Sequence, residues 1–178
     1  MKQTTAQIYL ADQRGCSPMD WFRSFHTFNF GAYFHENKMP FGALHLLNDD
    51  TLAAEKSLTM KVESDTEVLI LPLVGGFEYK NRIGQQGFVE TGQALTLILE
   101  IGMSYEIMNP YEAELINFLQ IWNIIQNCFT LPQLIIDFSI TTTRTALLYS
   151  ALPYLKPYFY SCHFEPFCMQ ILRGSNFL

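Results

Sequence analysis

The residues able to do chemistry are few and widely spaced. The chain holds four histidines and four cysteines among its 178 residues. His26, His35 and His45 are isolated from one another. Cys162, His163, Glu165 and Cys168 lie close together near the C-terminus and are metal-capable groups, but their spacing matches no common zinc pattern. No cysteine pair forms Cys-x-x-Cys, and no nucleophile elbow, phosphate loop or dinucleotide fingerprint is present. Lys61 and Glu63 stand two residues apart, so on a strand both face the same side. Tyr105 stands among Glu100, Glu106 and Ile107. Lys61, Glu63 and Tyr105 are groups that can give or take protons, although nothing around them names a substrate.

The composition narrows the classes that could use them. Hydrophobic residues make up 49% of the chain and charged residues only 16%. That balance argues against disorder and predicts some apolar surface, as at a subunit contact. The formal charge is −6 with no basic cluster, which excludes a nucleic-acid groove. No apolar stretch approaches the length of a membrane helix. The N-terminal residues lack the apolar core of an export signal, so reduced thiols and a cytoplasmic location are expected.

These residues must be positioned by strands. The segment KVESDTEVLILPLVGGFEY (residues 61–79) begins polar, becomes an apolar run and turns at Gly75–Gly76. It reads as a buried strand entering a hairpin, with Pro72 marking a bulge or an edge. Turn signals recur roughly every ten residues from 59 to 122, the spacing of a sandwich or barrel. Residues 6–10 read as a first strand broken by Asp12, Arg14 and Gly15. Residues 21–31 read as an irregular strand, and Leu44 to Leu47 as a strand turned by Asn48-Asp49-Asp50. Residues 131–140 and 159–167 read as further strands, and 145–152 as a short helix or strand.

Six tokens, in order, resemble the pirin family. RSFHTFNFGAYF (residues 23–34) is similar to its S-[FW]-H-T-F-x-F motif. Met39 to Leu44 resembles M-G-F-G-x-L, and Leu47-Asn48-Asp49-Asp50 resembles [IL]-N-[DE]-D. Glu67 to Gly75 resembles the long strand and its glycine turn. Asn109-Pro110 and Leu119-Gln120-Ile121-Trp122 complete the set, over about residues 7–122. Pirins are cupins. The resemblance therefore implies a mainly β fold, a cupin double-stranded β-helix of β-barrel or jelly-roll type. Residues 1–122 are expected to form the barrel. Residues 123–178 are expected to be a short C-terminal extension or truncated second cupin half, packing on the barrel or on a partner subunit.

Metal-binding pirins carry His-x-His before the long strand and His-x-Glu before the Asn-Pro turn. The first pair falls on Lys61 and Glu63, the second on Tyr105 and Ile107. All three histidines are replaced, and Ile107 stands where the carboxylate would be. The resemblance thus implies a barrel pocket at Lys61, Glu63, Tyr105 and Ile107 with its metal ligands lost. There Lys61 is expected to supply the positive charge, paired with Glu63. His26 lies in the family motif and is expected to be a hydrogen-bonded core residue. The expectation is a metal-free, non-catalytic protein that binds a small molecule in the barrel or acts through a homodimer or protein partner. The alternatives are an iron-dependent, quercetin 2,3-dioxygenase-like oxidoreductase and a regulatory interaction protein.

Overall fold

A computed structural model of the chain describes residues 9–125 and 134–137. A short 3-10 turn, Ala11–Gln13, precedes the strands β1 (Gly15–Pro18), β2 (Phe22–His26), β3 (Leu44–Leu52), β4 (Ser57–Lys61), β5 (Thr66–Val74) and β6 (Gly76–Asn81). There follow β7 (Gln86–Glu90), β8 (Gln93–Leu99), β9 (Ser104–Met108), β10 (Ile116–Ile124) and β11 (Leu134–Asp137). They form a seven-stranded sheet, β1-β2-β3-β10-β5-β8-β11, and a four-stranded sheet, β4-β9-β6-β7. Every pairing is antiparallel.

The mainly β architecture is the one the turn spacing implies. One buried cluster joins side chains of both sheets: Leu46, Val68, Ile70, Leu95 and Phe118 from the larger, and Met60, Phe77, Tyr79 and Ile107 from the smaller. Along each strand these residues recur at every second position, because a pleated strand shows alternate side chains to opposite faces. Leu95, Leu97 and Leu99 are the plainest case.

The 61–79 segment folds as a strand and a turn. β5 and β6 are joined at Gly75, whose φ of 73° suits a residue without a Cβ. Pro72 lies beyond the stretch where β5 pairs with β8, which ends at Ile70. On its other side the register with β10 shifts, Phe118 facing Pro72 and Asn117 facing Val74. A bulge at this point spares the ladder a donor that proline lacks.

Several expectations are corrected. Asn48-Asp49-Asp50 is not a turn. β3 runs unbroken through it, since Asn48 and Asp50 pair with His26 and Ser24 on β2 inside the sheet. Polar runs resemble turns only when their partners, distant in sequence, are out of view. Of the strand expected at 6–10, residues 6–8 lie outside the described residues and Tyr9 and Leu10 are not in a strand; Gly15 opens β1 instead of breaking a strand. There the Tyr33 ring lies where a side chain on residue 15 would be, with its Cδ1 2.5 Å from a Cβ position, so only glycine fits. β10 runs past Trp122 to Ile124, and β11 adds to the sheet beside β8. β11 falls inside the strand expected at 131–140.

The chain divides into two compact units. Gly15–Ser139 carries the sheets; Met1–Arg14 with Ile140–Leu178 forms the other. The segments 145–152 and 159–167 lie outside the described residues, as do His163, Glu165 and Cys128, Cys162 and Cys168.

A buried polar array as the candidate functional site

The four positions assigned to family ligands do not converge. On β4 and β9, Met60 pairs with Tyr105 and Leu58 with Ile107, whereas Lys61 pairs with Ser104. Residues directly opposite on paired strands share a face. Tyr105 and Ile107 therefore point into the core with Met60. Lys61 and Glu63 are exposed, and Val62 between them is buried. The expected inward Lys61–Glu63 pair is thus corrected. The inward positions are 60 and 62, one residue off, and a one-residue offset exchanges the two faces of a strand. The energetic reason is plain. Met60 and Val62 gain from burial, while a lysine and a glutamate there would have to give up water.

Tyr105 is 1% exposed and held from two sides. Its hydroxyl donates to Gln120 Oε1 and accepts from Trp122 Nε1 at 3.0 Å. Gln120 Nε2 in turn donates to Asp50 Oδ2. Burial raises the Tyr105 phenol well above its ordinary range, and the hydrogen bond from Trp122 opposes that only in part. The phenol is therefore neutral. Tyr105 stands on the smaller sheet and Gln120, Trp122 and Asp50 on the larger, so the array crosses the core.

Asp50 is 0% exposed. Burial pushes its carboxyl up to about 7; hydrogen bonds with Ser24 and Gln120 pull it down, and neighbouring Asp49 adds a smaller push up. Its Oδ1 has no hydrogen-bond partner. Ser24 also sits 3.3 Å from His26 Nδ1. His26 Nδ1 faces Asn48 Oδ1 at 3.1 Å and Nε2 faces Ser17 Oγ at 2.8 Å. A carboxamide oxygen only accepts, so Nδ1 carries the proton and Nε2 accepts from Ser17. Burial lowers the His26 imidazole below its usual value. His26 is thus a neutral, hydrogen-bonded core residue, as its place in the sequence motif suggests.

The remaining sequence candidates stay apart. His35 is exposed and accepts from the Asn37 amide through Nδ1 at 3.2 Å. His45 is exposed on β3, Glu100 is exposed, and Glu106 is half-buried on the outer face of β9. Cys16 is a free, exposed thiol. Sequence reasoning missed Asp50, Gln120 and Trp122 as a unit. The available signal was a period of two, Asn48/Asp50/Leu52 and Phe118/Gln120/Trp122, which places polar groups on a core face.

The pirin family model matches residues 9–123. The chain belongs to the pirin family. Among curated pirin relatives, quercetin 2,3-dioxygenase of Escherichia coli is 32% identical over 117 residues, 65% of this chain and 51% of the relative. A pirin-like protein of Caulobacter vibrioides is 27% identical over 111 residues, 62% of this chain and 47% of the relative. This pirin chain spans about half the length of those relatives. The crystal structure of the bacterial pirin YhhW from Escherichia coli in complex with nickel(II) superposes with a TM-score of 0.65 at 28% identity, over 75% of this chain and 58% of that one. The pirin fold fixes the architecture as a cupin β-barrel.

Set against a divalent ion, the four positions do not fit. Ile107 offers no donor atom, Tyr105 is a neutral phenol already hydrogen-bonded on both sides, and Lys61 and Glu63 lie on the other face. Among the described residues no three His, Cys, Asp or Glu side chains come together as a ligand group.

Proposed function

We propose that this pirin-family cupin works without a metal and without catalysis, by binding a small molecule in the barrel or through contacts with other proteins. The supporting observation is the use made of Tyr105. The side chain at a family ligand position is neutral and committed to Gln120 and Trp122. The interior around it is filled by Met60, Val62 and Ile107, which favours action through the surface over capture of a guest. Exposed apolar side chains such as Phe34, 75% exposed, Ile83 and Ile101 offer such a surface, to a second copy or to another protein. A cytoplasmic setting suits this reading.

Elemental analysis of purified protein, with titration of nickel(II) and iron(II) into chelator-treated protein, tests it. The expected result is no stoichiometric metal and no binding isotherm; one equivalent of bound metal overturns the proposal. Light scattering addresses self-association, with a dimer expected if the apolar surface is used by a second copy.

A second reading, a quercetin 2,3-dioxygenase-like activity, is supported by the name of the relative that is 32% identical. Assays of quercetin consumption with added iron(II) or nickel(II) decide it. Turnover that is lost with a chelator and restored by metal would replace the first reading with this one.

A further inference from the structure

Asp50 sits on the core face of β3, beside Ser24 of β2 and across from Phe118 of β10. The groups facing it are Ser24 from β2, Gln120 and Phe118 from β10, and Tyr105 from β9, with His26 one step away through Ser24. His26 is neutral and Tyr105 is neutral. Among the described residues no lysine or arginine acts on the carboxyl, and the other charge that does, Asp49, has the same sign. A carboxylate has about four acceptor positions. Here Gln120 donates to Oδ2 and Ser24 also hydrogen-bonds the carboxyl, while Oδ1 is buried without a partner. That is a setting for a neutral acid and a poor one for an anion.

Gln120 makes this matter beyond one residue. Its amide nitrogen is spent on Asp50 and its amide oxygen on Tyr105. The orientation that offers the oxygen to Tyr105 is the one that aims the nitrogen at Asp50. The carboxyl of the larger sheet thereby sets the hydrogen bond to the smaller one.

We infer that Asp50 is a proton-binding site in the barrel interior, and that its protonated form keeps the array through Gln120 and Tyr105 dry between the two sheets. Loss of the proton to solvent leaves a buried charge with an unpartnered oxygen. The state of lower energy then admits water to Oδ1 and loosens the sheet contact around the array. The inference rests on the metal-free reading, and makes a proton the group that this interior binds. The carboxyl's upward displacement to about 7 places the change near neutrality.

The test compares wild type with Asp50→Asn in thermal unfolding from about pH 5 to about pH 8.5, in chelator. An amide keeps the size and an acceptor for Gln120 but carries no charge. His26 titrates on the acid side in both proteins and cancels in the difference. Asp50→Asn is expected to match wild type within a few degrees at the acid end and to exceed its Tm by several degrees at the alkaline end. A difference that does not change with pH overturns the proposal. Carboxyl-carbon NMR of wild type gives an independent reading should the variant fold poorly. A midpoint about 7 for Asp50 is expected, and a midpoint in the ordinary carboxylate range, below about 5, overturns the proposal. Repeating the melts with nickel(II) separates the two ideas. A metal-induced rise in wild-type Tm sinks the metal-free reading and, with it, the role of the proton as the interior's own ligand. An unchanged Tm with a pH-independent difference sinks the Asp50 proposal alone.

Discussion

The Tyr105 hydroxyl donates to the side-chain oxygen of Gln120, from one sheet to the other. A tyrosine at this position thus supplies a hydrogen bond across the core. The phenol also receives the indole hydrogen of Trp122, and the two rings meet edge to face with centroids 6.3 Å apart.

Tyr105→Phe keeps the ring and removes both hydrogen bonds. Gln120 Oε1 and Trp122 Nε1 are then buried without partners, each costing about 1–3 kcal/mol. Urea unfolding should show a loss of about 2–4 kcal/mol with an unchanged m-value. A loss near zero would mean that the hydroxyl does not tie the sheets.

Lys61→Ala and Glu63→Ala should each change stability by less than about 0.5 kcal/mol, as expected for exposed side chains without special roles. Val62→Ala, between them and fully buried, should cost on the order of 1–3 kcal/mol. The opposite ranking in denaturant melts would return Lys61 and Glu63 to the interior and restore the register of the sequence reading.

His26 provides the pH dependence on the acid side. Its folded-state value lies below the unfolded one, so the unfolded chain binds the proton first. Stability due to the neutral ring is present above about pH 6.5 and is lost as pH falls through that value toward the folded pKa. His26→Gln should be less stable than wild type at neutral pH, and the gap should narrow on acidification. Equilibrium melts at a series of pH values below 7 check this, and a gap that widens would contradict it.

Gly76→Ala tests the β6–β7 contact. A Cβ at residue 76 would stand 2.5 Å from Phe88 Cζ and 2.8 Å from the Val89 carbonyl oxygen. The ring could swing away but the backbone oxygen could not, so a loss of about 1–3 kcal/mol is expected. Gly84→Ala has open space and a φ of 85°, and should cost about 1 kcal/mol through backbone strain alone. Thermal melts of the two variants should rank them in that order.

The sequence alone determined the class of fold and most of its strands. Leu95, Leu97 and Leu99, the glycine at 75 and the proline at 72 are local signals, and local backbone sterics and alternation dictate the strand, turn and bulge they produce. It also determined that Ile107 can hold no metal, because that follows from the side chain itself. Only the tertiary structure decided which face of β4 looks inward. Lys61 and Met60 are neighbours in sequence, and the choice between them rests on the register with Ser104 and Tyr105, more than 40 residues away. The same holds for Asp50. In sequence it belongs to a polar run that resembles a turn; in the sheet it meets Ser24 and Gln120, and partners brought together by strand pairing turn an apparent loop residue into the buried acid of the barrel.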